Sequence, residues 1–171
     1  MKAIAAMGAN RVIGKDYTLP WPNIKEDFKW FKEFTTGKIL IVGHKTFSTL
    51  PVLKNRNLIV LTRYSSKEQT IDEIINHKQG YDPINNMGYC YRNQENILNL
   101  HSNHKDNLVV IGGAKTYELF LPYITEFYVT HVKGEYDGDT FMPPFEHLFD
   151  KQEVIREFEC VHKVLKYYKT V

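Results

Sequence analysis

One aspartate stands where an acid is costly. At about 100° per residue, Ile24, Phe28, Trp30, Phe31 and Phe34 fall on one side of a helix, and Lys25, Glu26, Lys29, Lys32 and Glu33 on the other. Asp27 breaks the segregation by lying between Phe31 and Phe34. A carboxylate on an apolar face loses hydration when it ionises, which raises its pKa. Such an acid either bonds neighbouring backbone at the edge of the stripe or serves a cleft. A lone acid does not supply the carboxylate pair of a glycosidase. It suits recognition and protonation of a nitrogen heterocycle.

A second centre of chemistry is Leu108-Val109-Val110-Ile111-Gly112-Gly113-Ala114-Lys115-Thr116-Tyr117. Four unbroken apolar residues read as a buried strand of a parallel sheet, and Tyr117, Phe120 and Leu121 repeat at helical spacing after the glycines. Pro122 is expected to close that helix. Two readings of the glycine pair stand side by side. It lets backbone approach a ligand closely, with free helix N–H groups that favour an anion, or it is a tight turn needing glycine for its own conformation. Two further strands end in the same way, at Gly43-His44-Lys45-Thr46 and at Thr62-Arg63. Ligands of open α/β sheets sit outside the carboxyl ends of strands, and recurring His, Lys and Arg there suit a polyphosphate. Neither Gly-x-Gly-x-x-Gly nor the Walker A pattern occurs, which excludes the common dinucleotide fold and a nucleoside triphosphatase.

The elements that must position these residues follow from pattern. Strands are expected at Ala3–Met7, Lys38–Gly43, Asn57–Thr62 and Glu126–Val132, the last alternating, with a closing antiparallel hairpin of Lys151–Cys160 and Val161–Val171. Asn23, three residues before Glu26, reads as the N-cap of the acid-bearing helix, and Thr70-Ile71-Asp72-Glu73 as a capping box opening a helix to about His77. Another helix spans Gln94–Asn103. Gly8–Trp21, Gln79–Arg92 and Glu135–Pro144 read as irregular, and a loop as long as the first is usually functional. Strands alternating with helices predict an α/β fold with a mixed, mostly parallel central sheet, flanking helices and a C-terminal antiparallel hairpin.

Composition bounds the alternatives. The length of 171 residues fits one domain, and 43% hydrophobic with 25% charged residues is an ordinary globular balance. A net charge of +2, from 22 basic and 20 acidic residues, argues against nucleic acid as the main partner. Cys90 and Cys160 form no CxxC pair, so no metal site is signalled and a reducing compartment is expected. No apolar run approaches the roughly 20 residues of a membrane span, and Met1–Met7 reads as a strand rather than a signal peptide. A cytoplasmic protein is expected.

Taken together, Leu19-Pro20-Trp21, the acid six residues after that tryptophan, Phe31, Thr35, Val42-Gly43-His44-Lys45-Thr46-Phe47, Arg56, and Ile111-Gly112-Gly113 with Tyr117 resemble dihydrofolate reductase. The order and spacing hold over essentially the whole chain, implying one such domain over 1–171. The resemblance implies NADPH-dependent reduction of 7,8-dihydrofolate to tetrahydrofolate, serving one-carbon metabolism, in an antifolate target expected by analogy to be a monomer. Asp27 would bond the pterin and favour protonation at N5, with Thr130 linked to it and Leu19 and Trp21 among the catalytic residues. Ile4, Ala5 and Ile111 would contact the substrate; Phe31, Leu50 and Leu53 would wall its benzoyl part, and Arg56 would pair with its glutamate carboxylate.

For the cofactor, the resemblance puts Ala6, Ile13, Gly14 and Leu19 beside the nicotinamide. Lys45, Thr46, Gly113, Ala114, Lys115 and Thr116 would hold the pyrophosphate, and Gly43, Leu61, Ile111, Gly112 and Tyr117 would also contact the cofactor. His44, Thr62 and Arg63 would meet the 2′-phosphate. The loop from Asn10 to Ile24 matches the family's mobile lid, and the Gly112-Gly113 peptide is typically cis there. Two departures stand out. His44 replaces the usual Arg or Lys, tying part of the phosphate grip to pH, and the connection 64–107 is longer than in compact bacterial members.

Overall fold

The computed structural model describes residues 1–51, 53–61, 89–91, 94–104, 106–159 and 162–170. The sequence-derived helix at 70–77, most of the irregular stretch at 79–92, Thr62, Arg63, Cys160 and most of the 64–107 connection lie outside them.

Strands β1 (Lys2–Gly8), β3 (Ile39–Gly43), β4 (Asn57–Leu61), β5 (Tyr89–Tyr91), β6 (Leu108–Gly112), β7 (Glu126–Val132), β9 (Lys151–Phe158) and β10 (His162–Tyr168) form one sheet. Their spatial order is β5-β4-β3-β6-β1-β7-β10-β9. Pairings from β5 through β7 are parallel, and β10 runs antiparallel to both β7 and β9. The expected mixed, mostly parallel sheet with a terminal antiparallel hairpin is therefore what the chain adopts. Helices are α1 (Lys25–Thr35), α2 (His44–Thr49), α3 (Gln94–Asn103) and α4 (Ala114–Phe120).

The period of two sorts the core into layers. Ala3, Ile41, Val110 and Phe127 face one way, into a cluster with Phe120, Val129 and Phe145. Their neighbours Ile4, Leu40, Val109 and Tyr128 face the other, against Trp30 of α1. A smaller group of Val12, Trp21 and Val132 closes one end of the second layer. No described helix is long and apolar enough to cross a membrane.

Local structure departs from the sequence reading in four places. The N-cap of α1 is Ile24, with no side-chain cap bond; Asn23 sits one residue too early, and Glu26 and Asp27 supply the negative charge a first turn favours. Within Gly8–Trp21 lies a short strand, β2 (Val12–Gly14), paired antiparallel with β8 (Thr140–Phe141), itself inside the other expected loop. Neither is long enough to show a period. Helix α4 stops at Phe120, and Pro122 falls in a 3-10 turn, Leu121–Tyr123, where its missing N–H is not needed. Strand β7 does not alternate, because Phe127 to Thr130 are all buried between layers on both faces.

Candidate active site

Asp27 is buried, with 9% of its surface exposed. Helix α1 lays it over the middle of β7, where the Thr130 hydroxyl donates to its Oδ1 at 2.6 Å. Burial pushes the carboxyl above the ordinary value of 3.8, while the Thr130 bond and the charge of His162 pull it back. Thr130 pairs in register with Ala6 of β1, so the acid lies beside the strand that carries Ile4 and Ala5. The apolar stripe does not bury evenly. Trp30 is inside, Phe31 and Phe34 are half-buried, and Phe28, next to the acid, is exposed.

The residues expected to wall the substrate pack near one another. Ile4, Leu53 and Ile111 belong to one cluster, and Phe31 and Leu50 pack against it. Arg56 lies at the end of α1, with 5% exposure. Its Nε donates to Thr35 Oγ1 at 3.1 Å, Nη1 to the Lys54 carbonyl at 3.0 Å and Nη2 to the Lys32 carbonyl at 3.4 Å. Thr35 can receive that bond because its own hydroxyl donates back to the Phe31 carbonyl at 2.7 Å. Three neutral acceptors thus aim the fork, no acid among the described residues pairs with it, and desolvation lowers its pKa.

Across the sheet, the carboxyl ends of β3 and β6 come together at Val42 and Gly112. Their glycines are required by contact. A Cβ on Gly43 would sit 2.8 Å from Thr116 Oγ1, and one on Gly113 would sit 2.9 Å from Thr46 Oγ1. Gly112 has φ +112°, and the peptide to Gly113 is cis, as the resemblance implied. His44, Lys45 and Lys115 are exposed beside this cradle, while Thr116 and Tyr117 are buried. Tyr117 does not point its hydroxyl into the cradle. It donates to the Ile4 carbonyl at 2.7 Å, tying α4 to β1, and burial raises its pKa. Leu61 is half-buried at the end of β4, and Ala114 opens α4.

The segment 10–24 arches beside both halves. Ile13 is half-buried against the core, Gly14 is buried and Leu19 is exposed. Several ties secure it. Asp139 N donates to the Gly14 carbonyl at 3.0 Å, and Asp16 N donates to Asp139 Oδ2 at 2.9 Å. Lys15 pairs with Asp137 at 2.6 Å. Thr49 Oγ1 donates to the Tyr17 carbonyl at 2.7 Å, and Lys45 Nζ stands 5.6 Å from the Tyr17 ring centre. Trp21 is buried, and its Nε1 has no hydrogen-bond partner among the described residues.

Sequence reasoning missed Tyr136, whose ring meets Trp21, and the Asp137 and Asp139 ties. More than a hundred residues separate these partners, and no spacing rule reaches that far.

The buried acid at α1 and β7 and the glycines with exposed cations at the ends of β3 and β6 are the two clusters of polar chemistry that the sequence singled out. The family model for dihydrofolate reductase matches residues 1–163. Dihydrofolate reductase type 8 of Escherichia coli is 35% identical over 171 residues, covering 99% of this chain and 95% of the relative. The Bacillus subtilis dihydrofolate reductase is 32% identical over 145 residues, covering 84% of this chain and 75% of the relative. Among solved structures, the Enterococcus faecalis dihydrofolate reductase complexed with NADP(H) and RAB-propyl superposes with a TM-score of 0.75 at 25% identity, covering 99% of this chain and 96% of that one. The chain belongs to the dihydrofolate reductase family.

Proposed function

We propose that this chain, acting as one domain over 1–171, reduces 7,8-dihydrofolate to tetrahydrofolate with NADPH, feeding one-carbon metabolism and thymidylate synthesis. The observation that carries the reading is the Asp27–Thr130 pair, an acid held at a fixed angle in a nearly dry, apolar wall. Thr130 takes one lone pair of Oδ1, which leaves the other and Oδ2 to accept a flat donor pair such as the pterin 2-amino group and ring nitrogen. A carboxyl held above its ordinary pKa favours proton delivery toward N5, with solvent as the source. Ile4, Phe31, Leu50, Leu53 and Ile111 exclude water from the ring and benzoyl part, and the aimed fork of Arg56 meets the glutamate carboxylate.

The cradle suits the cofactor, because Gly43, Gly112 and Gly113 let Thr46, Thr116 and Tyr117 pack closely on the strand ends, with the exposed cations Lys45 and Lys115 beside them. Thr46, Lys45, Ala114, Lys115 and Thr116 would hold its pyrophosphate, His44 with Thr62 and Arg63 its 2′-phosphate, and Leu61 its adenosine side. Ala6, Ile13, Gly14 and Leu19 would border the nicotinamide. When bound, NADPH supplies the hydride. The 10–24 segment would then act as a lid that keeps water from the reacting pair, with Trp21 on the pterin side. Loss of absorbance at 340 nm tests the reading, with NADPH and NADH run side by side. Oxidation that requires added dihydrofolate and prefers NADPH is expected; oxidation indifferent to dihydrofolate would overturn it.

A further inference from the structure

Tyr136 has no role in either proposed ligand site, yet its ring packs on Trp21 with centroids 5.5 Å apart and planes at 64°. Edge-to-face contacts of this kind have a preferred geometry and so transmit orientation. Tyr136 is itself held from several sides. Asn10 Nδ2 donates to its carbonyl at 2.9 Å, and its hydroxyl donates to the Lys133 carbonyl at 3.1 Å. Its ring lies over two glycines: a Cβ on Gly8 would meet Cδ2 at 3.4 Å, and one on Gly134 would meet Cε2 at 3.6 Å. The Trp21 Nε1, by contrast, makes no hydrogen bond among the described residues. The angle of the indole is therefore set by what packs on it, and the group around it comprises Val12, Val132, Ala6, Ile24 and Tyr136. Tyr136 is the aromatic member of that set and the one with its own polar anchors.

We propose that Tyr136 is a positioning residue: it joins the ends of β1 and β7 into a rigid backing that fixes Trp21 against the pterin side of the cleft. The inference rests on the reading above that Trp21 lines the substrate half. It makes the backing selective, acting on dihydrofolate and leaving the pyrophosphate cradle across the sheet undisturbed.

The chain has two tryptophans, so in a Trp30→Phe background Trp21 alone emits. In that background Tyr136→Ala is expected to shift the emission to the red and make it easier to quench. KM for dihydrofolate should rise about 3- to 10-fold, the worth of one aromatic contact. Kd for NADPH, read by titration, should stay within about twofold. Tyr136→Phe, which keeps the ring, should restore the emission and KM. Tyr136→Leu, which preserves most of the volume without the ring, serves if the alanine variant does not fold, and should resemble alanine. The inference is overturned if alanine and leucine leave KM and emission unchanged. It is equally overturned if KM and the NADPH Kd rise together, or if phenylalanine fails to rescue. A parallel Trp21→Leu variant separates the two ideas: an unchanged KM there removes Trp21 from the substrate site, whereas a raised KM with a silent Tyr136→Ala removes only Tyr136.

Discussion

The two halves of the cleft solve opposite electrostatic problems. On the acid side, Asp27 and Arg56 are nearly dry and already bonded to neighbours: Thr130 for one, Thr35 and two carbonyls for the other. On the proposed phosphate side, His44, Lys45 and Lys115 are exposed, and Gly43, Gly112 and Gly113 supply bare backbone. A ligand that brings little charge must find charges desolvated and aimed in advance. A ligand that brings several negative charges can desolvate the cations itself, provided the backbone gives it room. Substitutions on the acid side should therefore act on substrate and rate, and those on the phosphate side on cofactor affinity and its salt dependence.

The sharpest break of that contrast is Asp27→Asn. Turnover at pH 7 should fall by about 10²- to 10³-fold, the range for a positioned acid–base group, with NADPH affinity nearly intact. A variant as active as the parent in a stopped-flow hydride-transfer assay would remove the acid from the chemistry. Arg56→Lys should come next. A point charge on a flexible stem cannot keep three planar donors on Thr35, Lys54 and Lys32, so KM for dihydrofolate should rise about tenfold, with a measurable loss of stability. On the other half, Lys115→Ala should weaken NADPH binding only a few-fold, because exposed charge is screened. The informative reading there is the slope of Kd against ionic strength, which should flatten while KM for dihydrofolate stays put.

The smallest effect has the opposite sign. The folded-state pKa of Asp27 lies above the ordinary 3.8, so the folded chain binds that proton more tightly than the unfolded one. Stability contributed by this group is greatest with the acid protonated and declines as pH rises from about 3.8 through the folded value. Asp27→Asn should therefore raise Tm at pH 7, by about 2–4 °C for each kcal/mol of penalty removed. The gain should shrink below that window, as thermal melts across pH would show.

Much of this was legible in the chain because its signals are local. Asp27 stood out by interrupting a 100° stripe, and the Leu108-to-Tyr117 run announced strand, glycines and helix in consecutive residues. Helix Gln94–Asn103 and strand Glu126–Val132 appear with the expected bounds. What stayed hidden depends on partners remote in sequence. Val12–Gly14 is a strand only because Thr140 and Phe141 lie beside it. Ile24 caps α1 despite an attractive Asn23, since the first turn already has its negative charge in Glu26 and Asp27. Phe28 shares the apolar stripe yet is exposed, because nothing in a periodicity distinguishes a core from the open side of a cleft.

Arg11 bears on how the cleft can move. With φ +66°, it sends its guanidinium to the carbonyls of Met142 and Pro143 and to Glu146 Oε1, over the face of Phe145. Met142 N returns a bond to the Arg11 carbonyl at 2.8 Å. The root of the 10–24 arch is thus riveted at five points, whereas its crest hangs on the single solvent-bathed ion pair of Lys15 and the few bonds around Gly14 to Tyr17. A swing of the arch as a lid would have to hinge beyond Arg11, within residues 12–24.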